Sequence, residues 1–478
     1  NISSYLGLTQ KLGKAAERIK FTRFAPEREC GVVRGYLEKV GESGVCRICG
    51  QRAADPESTA DVKVFPDHKE GQHEPVCAAC HDHIFLGKYG VKQPVLFVTT
   101  PDQLNGSHRA HLSIPIFGSY QVYFGKTLEQ SHEVTREMEH PSTLRAWDIS
   151  SPWRPDQSNG YLLASRLISG YVPRYDQDST VTGENDEHHE AGDPVTLSDI
   201  CREASGVSEE DGKRYGLEAL GVLKADVDDL GFHMECGIAP EDYSIGRVAT
   251  LSRFINNFFA LYLPDLLNSD PRFNKIYTVF GGGDDLFLIG PWPAVIDLGE
   301  HLYQSFSEYV CANDKLHFSA GITLHHDKTP IEQLAREAEH ALEQAKEHKG
   351  KNALSLFASV VSWDEVSKLR REGKRLLDYL ESEVISHGYL YSLNNYLLMA
   401  EEEARLLSDH KEGIPLKNLR SLRWRALLAY SSARNVDAQA LDDADISTLI
   451  ADITRQIEDY RGAFRIPLWE TLYKIRRS

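Results

Sequence analysis

The sequence is poor in what would carry it into a membrane, an export pathway or the groove of a nucleic-acid duplex. No run of about 20 apolar residues occurs, which excludes a spanning helix. The opening Asn1-Ile2-Ser3-Ser4 has neither the basic nor the apolar region of a secretory signal. Positive charge is also short: 53 Lys plus Arg against 71 Asp plus Glu leave a net charge of −18. No general cationic coat is therefore available for counterion release, and any contact with nucleic acid must be local or made within a larger assembly. A cytoplasmic protein without membrane contact is expected. Eight cysteines in 478 residues, with no export signal, do not suit a disulfide framework. What is present is length, enough for about three domains of ~150 residues and several hydrophobic cores. A first residue other than Met, leading straight into helix-like sequence, predicts that a longer protein continues upstream.

Half of the cysteines are grouped. Cys46-Arg-Ile-Cys49 and Cys77-Ala-Ala-Cys80 are two Cys-x-x-Cys knuckles, and a two-residue gap lets both thiolates of a knuckle point at one ion. The 27 residues between them read as an inserted loop of a zinc ribbon, giving Cys46, Cys49, Cys77 and Cys80 as ligands of a structural Zn²⁺. Four thiolates leave no open position for catalysis. His73, His81 and His83 lie close enough in sequence to replace one thiolate.

Four segments are expected. Residues 1–93 hold an amphipathic helix (Leu6, Leu8, Leu12, Ala15, Ile19) and the zinc ribbon. Residues 94–215 are β-rich, with runs such as Val95-Leu96-Phe97-Val98 and Tyr120-Gln121-Val122-Tyr123-Phe124 broken by Gly and Pro. Within them the polar stretch Arg174 to Pro194 reads as a mobile loop, having too few apolar side chains to repay the entropy of ordering. Residues 216–360 alternate regularly, and 361–478 form a helical domain with amphipathic leucines (Leu369, Leu376, Leu377, Leu380, Leu397, Leu398) that opens on the capping box Ser362-Trp363-Asp364-Glu365. Two basic groups in that tail, Lys417 to Arg434 and Arg461 to Arg477, are either solvated helix faces or a contact for RNA or a partner subunit.

The third segment carries the chemistry. A strand, Leu220 to Ala225, ends in Asp226-Val227-Asp228-Asp229. A helix follows whose stripe Leu251, Phe254, Ile255, Phe258, Phe259, Tyr262 and Leu263 reads as core. Strands Lys275–Phe280 and Leu286–Ile289 are joined by Gly281-Gly282-Gly283-Asp284-Asp285, a hairpin in which glycines supply positive φ. After another helix and the strand His317 to Thr323, Thr329-Pro330-Ile331-Glu332 predicts a capped helix start, with an apolar face of Ile331, Leu334, Ala335, Ala338, Leu342 and Ala345 and an end near Lys349-Gly350. Strand, helix, hairpin, helix, strand, helix is a ferredoxin-like palm with added elements. The fold class is therefore α+β, with a zinc-ribbon and β-rich N-terminal region and an all-α C-terminal domain. If the first strand and the hairpin are neighbours, Asp226, Asp284 and Asp285 come together and repel unless a cation relieves them. Mg²⁺ or Mn²⁺ favours such oxygen ligands, binds triphosphate oxygens and polarises the α-phosphorus for nucleotidyl transfer. Gly282 and Gly283 let backbone and phosphate approach closely, and Lys346 and Lys351 are placed to neutralise triphosphate charge.

These blocks resemble the GGDEF-type nucleotide cyclase domain. More narrowly, Leu223-Lys-Ala-Asp-Val-Asp-Asp-Leu-Gly231, Thr250-Leu-Ser-Arg253, Gly282-Gly-Asp-Asp-Leu-Phe-Leu-Ile-Gly-Pro-Trp292, Ser319-Ala-Gly321 and Lys351-Asn352, between the cysteine knuckles and a helical tail, resemble the large subunit of type III-A (Csm) CRISPR effector complexes. The resemblance implies a subunit of a ribonucleoprotein built on CRISPR RNA, with small and backbone protein subunits as partners. On capturing target RNA its palm converts ATP into cyclic oligoadenylates. It makes Asp226, Asp284 and Asp285 metal ligands or electrostatic catalysts and Lys346 the phosphate lysine, and it places Ser252 and Arg253 on a helix beside the nucleotide. It also implies a paired first palm and an N-terminal HD nuclease. Neither His81-Asp82 nor His326-Asp327 has the companions of an HD motif, so that nuclease, and much of the first palm, are expected upstream. The guanine-reading residues of diguanylate cyclases are absent, Gly231-Phe-His-Met-Glu235 standing in their place. A catalytically silent scaffold subunit and a signalling dinucleotide cyclase are the alternative readings.

Overall fold

The structure, a computed structural model, describes residues 5–22, 44–61, 73–93, 95–99, 112, 120–125, 145–149, 163–164, 170–177, 179–181, 187–208, 212–239, 241–408, 420–436 and 443–476. By its internal contacts the chain divides into two units: Asn1–Pro194 with Phe232–Phe254, and Val195–Gly231 with Ile255–Ser478.

The first unit opens with α1 (Tyr5–Thr22), on which Leu12, Ala15 and Ile19 of the expected apolar stripe are exposed. Strands β1 (Asp55–Asp61) and β2 (His73–Val76) pair antiparallel, and α2 (Ala78–Phe85) follows. A four-stranded sheet is ordered β4-β3-β5-β6, from β3 (Val95–Thr99), β4 (Gln121–Gly125), β5 (Arg145–Asp148) and β6 (Leu163–Ala164). Its core includes Val122, Phe124 and Ile149. Within the stretch expected to be a mobile loop, β7 (Ser179–Val181) and β8 (Glu187–His189) pair antiparallel; residues 178 and 182–186 lie outside the described residues. Polar bonds do there what burial does not. Arg174 bridges Pro194 and donates to the Gly192 and Val91 carbonyls, Lys92 pairs with Asp193 at 2.6 Å, and the Tyr175 and His189 rings stack.

The second unit begins with α3 (Leu197–Arg202), capped by the Thr196 hydroxyl, and the short pair β9 (Gly206–Val207) and β10 (Arg214–Tyr215). Its main sheet has six strands in the order β12-β13-β11-β14-β15-β16: β11 (Leu220–Val227), β12 (Tyr277–Gly282), β13 (Asp285–Pro291), β14 (Phe318–His325), β15 (Ala353–Leu356) and β16 (Ser359–Ser362). All neighbours are antiparallel except β14 and β15. The helices of this part of the chain are α4 (Leu230–Cys236), α5 (Ile245–Asn257), α6 (Leu263–Ser269), α7 (Trp292–Tyr309) and α8 (Ile331–Lys346). The palm core of strand, helices, hairpin, helix, strand and helix stands as expected.

Strand alternation separates the two long palm helices. A Cβ on Gly221 would lie 2.7 Å from the Trp292 Cα, and Gly299 of α7 lies over Leu223 and Ile322; this is the α7 face. One residue along, Gly321 is so close to α8 that a Cβ would meet the Leu342 nitrogen at 2.4 Å, and its partner Lys224 bonds Glu339 of α8. Lys224 and Asp226 thus point to the α8 face. Leu334, Ala338, Ala341, Leu342 and Ala345 are buried on that helix, whereas Ile331, expected in the packed stripe, is 51% exposed. From the α5 stripe Ile255, Phe258, Phe259 and Leu263 are buried, and the helix widens into a π-turn over Phe258–Tyr262 that sets Phe258 edge-to-face against Phe306. Phe254, by contrast, is 38% exposed.

The C-terminal part of this unit is helical: α9 (Trp363–Glu381), α10 (His387–Ser408), α11 (Trp424–Asn435), α12 (Asp443–Tyr460) and α13 (Arg465–Ile475). These share a core that includes Tyr389, Leu393, Leu397, Trp424, Leu428, Ile457, Phe464 and Leu468. Three residues of the expected basic groups are held in ion pairs. Arg425 holds Glu403 and Glu458, Arg465 holds Glu401, and Lys474 holds Glu470; Lys417 and Arg477 lie outside the described residues. Among the described residues no helix is long and apolar enough to cross a membrane.

Candidate active site

The end of β11 and the hairpin between β12 and β13 build one cluster. Asp226 is the registered partner of Asp285, which is in turn the partner of Gly282, so the Cβ atoms of the two acids are about 4.5–5.5 Å apart. Asp284 occupies the turn, and its carbonyl accepts the Val227 N–H at 3.0 Å, tying the tip to the strand carrying Asp226. Of the three glycines, Gly283 alone has a positive φ, +69°. One such residue at the first central position is what a type II′ hairpin turn requires, so the expectation that several glycines supply positive φ is corrected. Gly283 donates its N–H to Asn256 Oδ1 at 2.7 Å.

Burial, and then the neighbouring carboxylates, raise the pKa of both members of this pair. Desolvation pushes Asp226 above the ordinary carboxylate value. Lys346 opposes that shift, and the charges of Asp284 and Asp285 add to it. Asp285 is raised for the same first reason, with Lys224 opposing and Glu339 and Asp284 adding. Lys346 Nζ donates to Asp226 Oδ2 at 2.5 Å, a charge-assisted bond. This lysine thus offsets the charge of the aspartate. Lys351 pairs with Asp229 at 2.6 Å. It stands in a left-handed run, Gly350 (φ +87°), Lys351 (+53°) and Asn352 (+50°).

Sequence reasoning gave Asp228 no role, yet it is the buried node of the cluster, 1% exposed. It accepts from Ser319 Oγ at 3.0 Å and the Asn352 N–H at 3.0 Å, and its Oδ2 lies 2.7 Å from His317 Nδ1. Three segments, the end of β11, the start of β14 and the left-handed run, meet on this one carboxylate. The signal was present in the Asp-x-Asp spacing, since the second Asp lies just past a buried strand end.

The donor chemistry fits a hard divalent cation: three carboxylates, two of them raised by crowding and burial, with Asp285 Oδ1 buried and lacking a hydrogen-bond partner. The three carboxylates do not all lie within 4.8 Å of one another, however. Among the described residues that spacing is met by Cys46, Cys49, Cys77 and Cys80. There Cys49 Sγ and Cys77 Sγ are 3.9 Å apart, far beyond a disulfide and close to the ~3.8 Å edge of a tetrahedron with Zn–S of about 2.3 Å. The first knuckle is folded by Cys46 N–H to the Arg52 carbonyl and Gly50 N–H to the Cys46 carbonyl, and Cys80 lies in the first turn of α2. Backbone N–H groups, that of Gln51 foremost, draw the Cys49 thiol down to about 6. Among the described residues no histidine joins the set, and His81 Nδ1 lies 3.2 Å from Asp82 Oδ1. The four thiols could hold zinc as the ribbon expectation requires.

Ser252 and Arg253 are exposed on α5, in the part of that helix belonging to the first unit, and Arg253 Nε–H is spent on the Ala249 carbonyl.

Comparison with known proteins follows this geometry. Residues 219–355 match the model of Cas10/Cmr2, second palm domain. This segment is similar to the second palm of Cas10 proteins. Proteins named CRISPR system single-strand-specific deoxyribonuclease Cas10/Csm1 (subtype III-A) are similar to part of this chain. That of Enterococcus italicus is 37% identical over 166 residues, covering 34% of this chain and 21% of its own. That of Mycobacterium tuberculosis is 34% identical over 210 residues, covering 40% and 26%. The crystal structure of a Csm1–Csm4 cassette in complex with cA3 has the same fold, with a TM-score of 0.50 at 18% identity, covering 82% of this chain and 49% of that one. The chain thus aligns with about a quarter of the length of its curated relatives, and the resemblance to the large subunit of type III-A complexes holds over the Cas10-type palm.

Proposed function

We propose that this chain is the catalytic part of a type III-A CRISPR effector large subunit, whose palm joins ATP units into cyclic oligoadenylates once CRISPR RNA has captured a target RNA. The observation that carries this reading is the registered Asp226–Asp285 pair beside Asp284, three carboxylates at one end of a hairpin, on a palm similar to that of Cas10. The cA3-bound Csm1–Csm4 cassette shares the fold, which supports the product class and a Csm4-like partner. Asp226, Asp284 and Asp285 would hold Mg²⁺ or Mn²⁺, which when bound lowers the pKa of the attacking 3′-hydroxyl and screens the triphosphate.

The chain's own residues do the rest. Gly282 and Gly283 keep side chains away from the hairpin tip, so a triphosphate can approach the backbone. Lys346 leaves Asp226 for phosphate when nucleotide enters, while Lys351, held by the left-handed run, supplies a second point charge. Asp228 keeps the three segments in register. Ser252 and Arg253 are assigned to the nucleotide by motif. Zinc on Cys46, Cys49, Cys77 and Cys80 is structural. The deoxyribonuclease in the relatives' names is not assigned to these residues: Asp327, of the pair His326-Asp327, accepts a hydrogen bond from Ser198, and His81 pairs with Asp82.

Labelled ATP and GTP, incubated with the assembled complex with and without matching RNA, test the proposal. Cyclic product is expected from ATP and only with RNA. Replacing Asp284 and Asp285 together by Ala should remove the product by at least 10²-fold, on the order of the loss when an electrostatic stabiliser is deleted, with assembly unchanged. Equal product from the double variant would end the metal-site reading, and no product from the wild type under any condition would leave a scaffold.

A further inference from the structure

Phe280 is the residue the site does not yet explain. A large aromatic side chain at 51% exposure sits on β12, the edge strand, two residues before the glycine that faces the acid pair. The ladder fixes its direction: Phe280 pairs with Phe287, and Phe287 with Lys224. Since Lys224 bonds α8, all three side chains stand on the same face of the sheet as Asp226 and Asp285. Phe287 is 9% exposed, so it is covered where its rung partner is not. Phe280 is therefore an open ring about 7 Å along the strand from the carboxylate rung, the reach of the sugar separating a base from its α-phosphate. The carboxylate rung ends on Gly282, which has no side chain of its own; Asn256 Oδ1 lies 3.5 Å from where a Cβ there would stand.

We propose that Phe280 is the stacking platform for the adenine ring of a nucleotide whose phosphates are held at Asp226, Asp284 and Asp285. The inference deepens the nucleotidyl-transfer reading and rests on it. An exposed phenyl ring on that face offers a flat π surface to a base while the acids and lysines take the polar end. Stacking does not read hydrogen-bond edges, so the platform sets affinity for a purine nucleotide and leaves the choice of adenine to other groups.

The test measures equilibrium binding of a non-hydrolysable ATP analogue to the assembled complex carrying Phe280→Tyr, Phe280→Leu or Phe280→Ala. Removing a base–aromatic stack should weaken binding about 5- to 100-fold in the Leu and Ala variants, and Tyr should restore it. In steady state the loss should fall on KM rather than kcat. Leu is apolar and of similar bulk but lacks the π face. If Leu binds as tightly as Phe, the ring serves a plain apolar contact and the platform is overturned. If the Ala variant fails to assemble, the Tyr and Leu variants decide. If the wild-type complex itself binds no ATP analogue, the nucleotide reading fails and takes the platform with it.

Discussion

Asp285 and Asp226 face each other across one rung of an antiparallel pair, and two carboxylates so placed are costly when both are charged. Both are raised in the folded chain, by burial first. The native state therefore holds protons that the unfolded chain has already released. Between the unfolded value near 3.9 and the raised folded values, stability falls as pH rises, and above that window the penalty is fully present. Asp285→Asn should relieve it, raising the thermal midpoint at pH 7 by about 1–3 °C in metal-free buffer. Mg²⁺ or Mn²⁺ should then raise the midpoint of the wild type more than that of the variant. Equal metal-induced shifts in the two proteins would remove Asp285 from the cation site. The acids themselves were legible because an Asp-x-Asp strand end and a Gly-Gly-Asp-Asp turn have few other uses together. What Asp228, Lys224 and Lys346 touch was not, since those partners depend on strand register and on which face α8 covers, and neither is written in local sequence.

Helices and strands were legible to the extent that their signals were local. Ser362 starts α9 as read: its N–H donates to Glu365 Oε2 at 3.0 Å, completing a capping box. Thr329-Pro330-Ile331-Glu332 carries the same letters, but α8 begins after Pro330 with no side-chain cap, because Pro330 rather than Thr329 takes the cap position. A long-range tie that no pattern announced joins these helices. Arg370 of α9, 8% exposed, bonds Asp297 and Glu300 of α7 and Glu470 of α13, locking a palm helix to two helices of the C-terminal part. Burial pushes the Glu470 carboxyl up, but Arg370 and Lys474 more than offset it, so its net shift is downward. Arg370→Ala leaves Glu470 buried without its main partner and should cost about 3–5 kcal/mol in denaturant unfolding. Arg370→Met combined with Glu470→Leu should recover most of that loss, because apolar residues of similar volume need no counter-charge. A double variant as unstable as the single would show that packing, and not the buried charge, sets the penalty.

Two units with separate cores share this chain, and their stabilities have different origins. The palm and helical part is held by large buried side chains, among them Trp292, Trp363, Trp424, Phe306 and Phe318. The knuckle region has little of that: its buried cluster is Cys46, Val76, Cys77 and Cys80, with Cys49, Ala79 and Ile84 packed against it, a core made mostly of its own sulfurs. A cluster so small cannot hold β1, β2 and α2 in place by apolar burial at about 25 cal/mol per Å², whereas metal ligation contributes folding free energy directly. Metal analysis of protein purified without chelator should therefore find one zinc per chain, and Cys49→Ser or Cys77→Ser should lower that content. Chelation should speed amide hydrogen exchange by at least tenfold across residues 45–54 and 73–85, the loss of about 1.4 kcal/mol or more of local protection. Over the same interval β11, β13 and β14 should keep their protection, since their strands are buried by α7 and α8 and not by the thiols. Unchanged exchange in the knuckles after complete zinc removal would show that the four sulfurs pack as ordinary apolar groups. Acceleration spreading equally through the palm strands would show that one cooperative core, and not two, carries the fold.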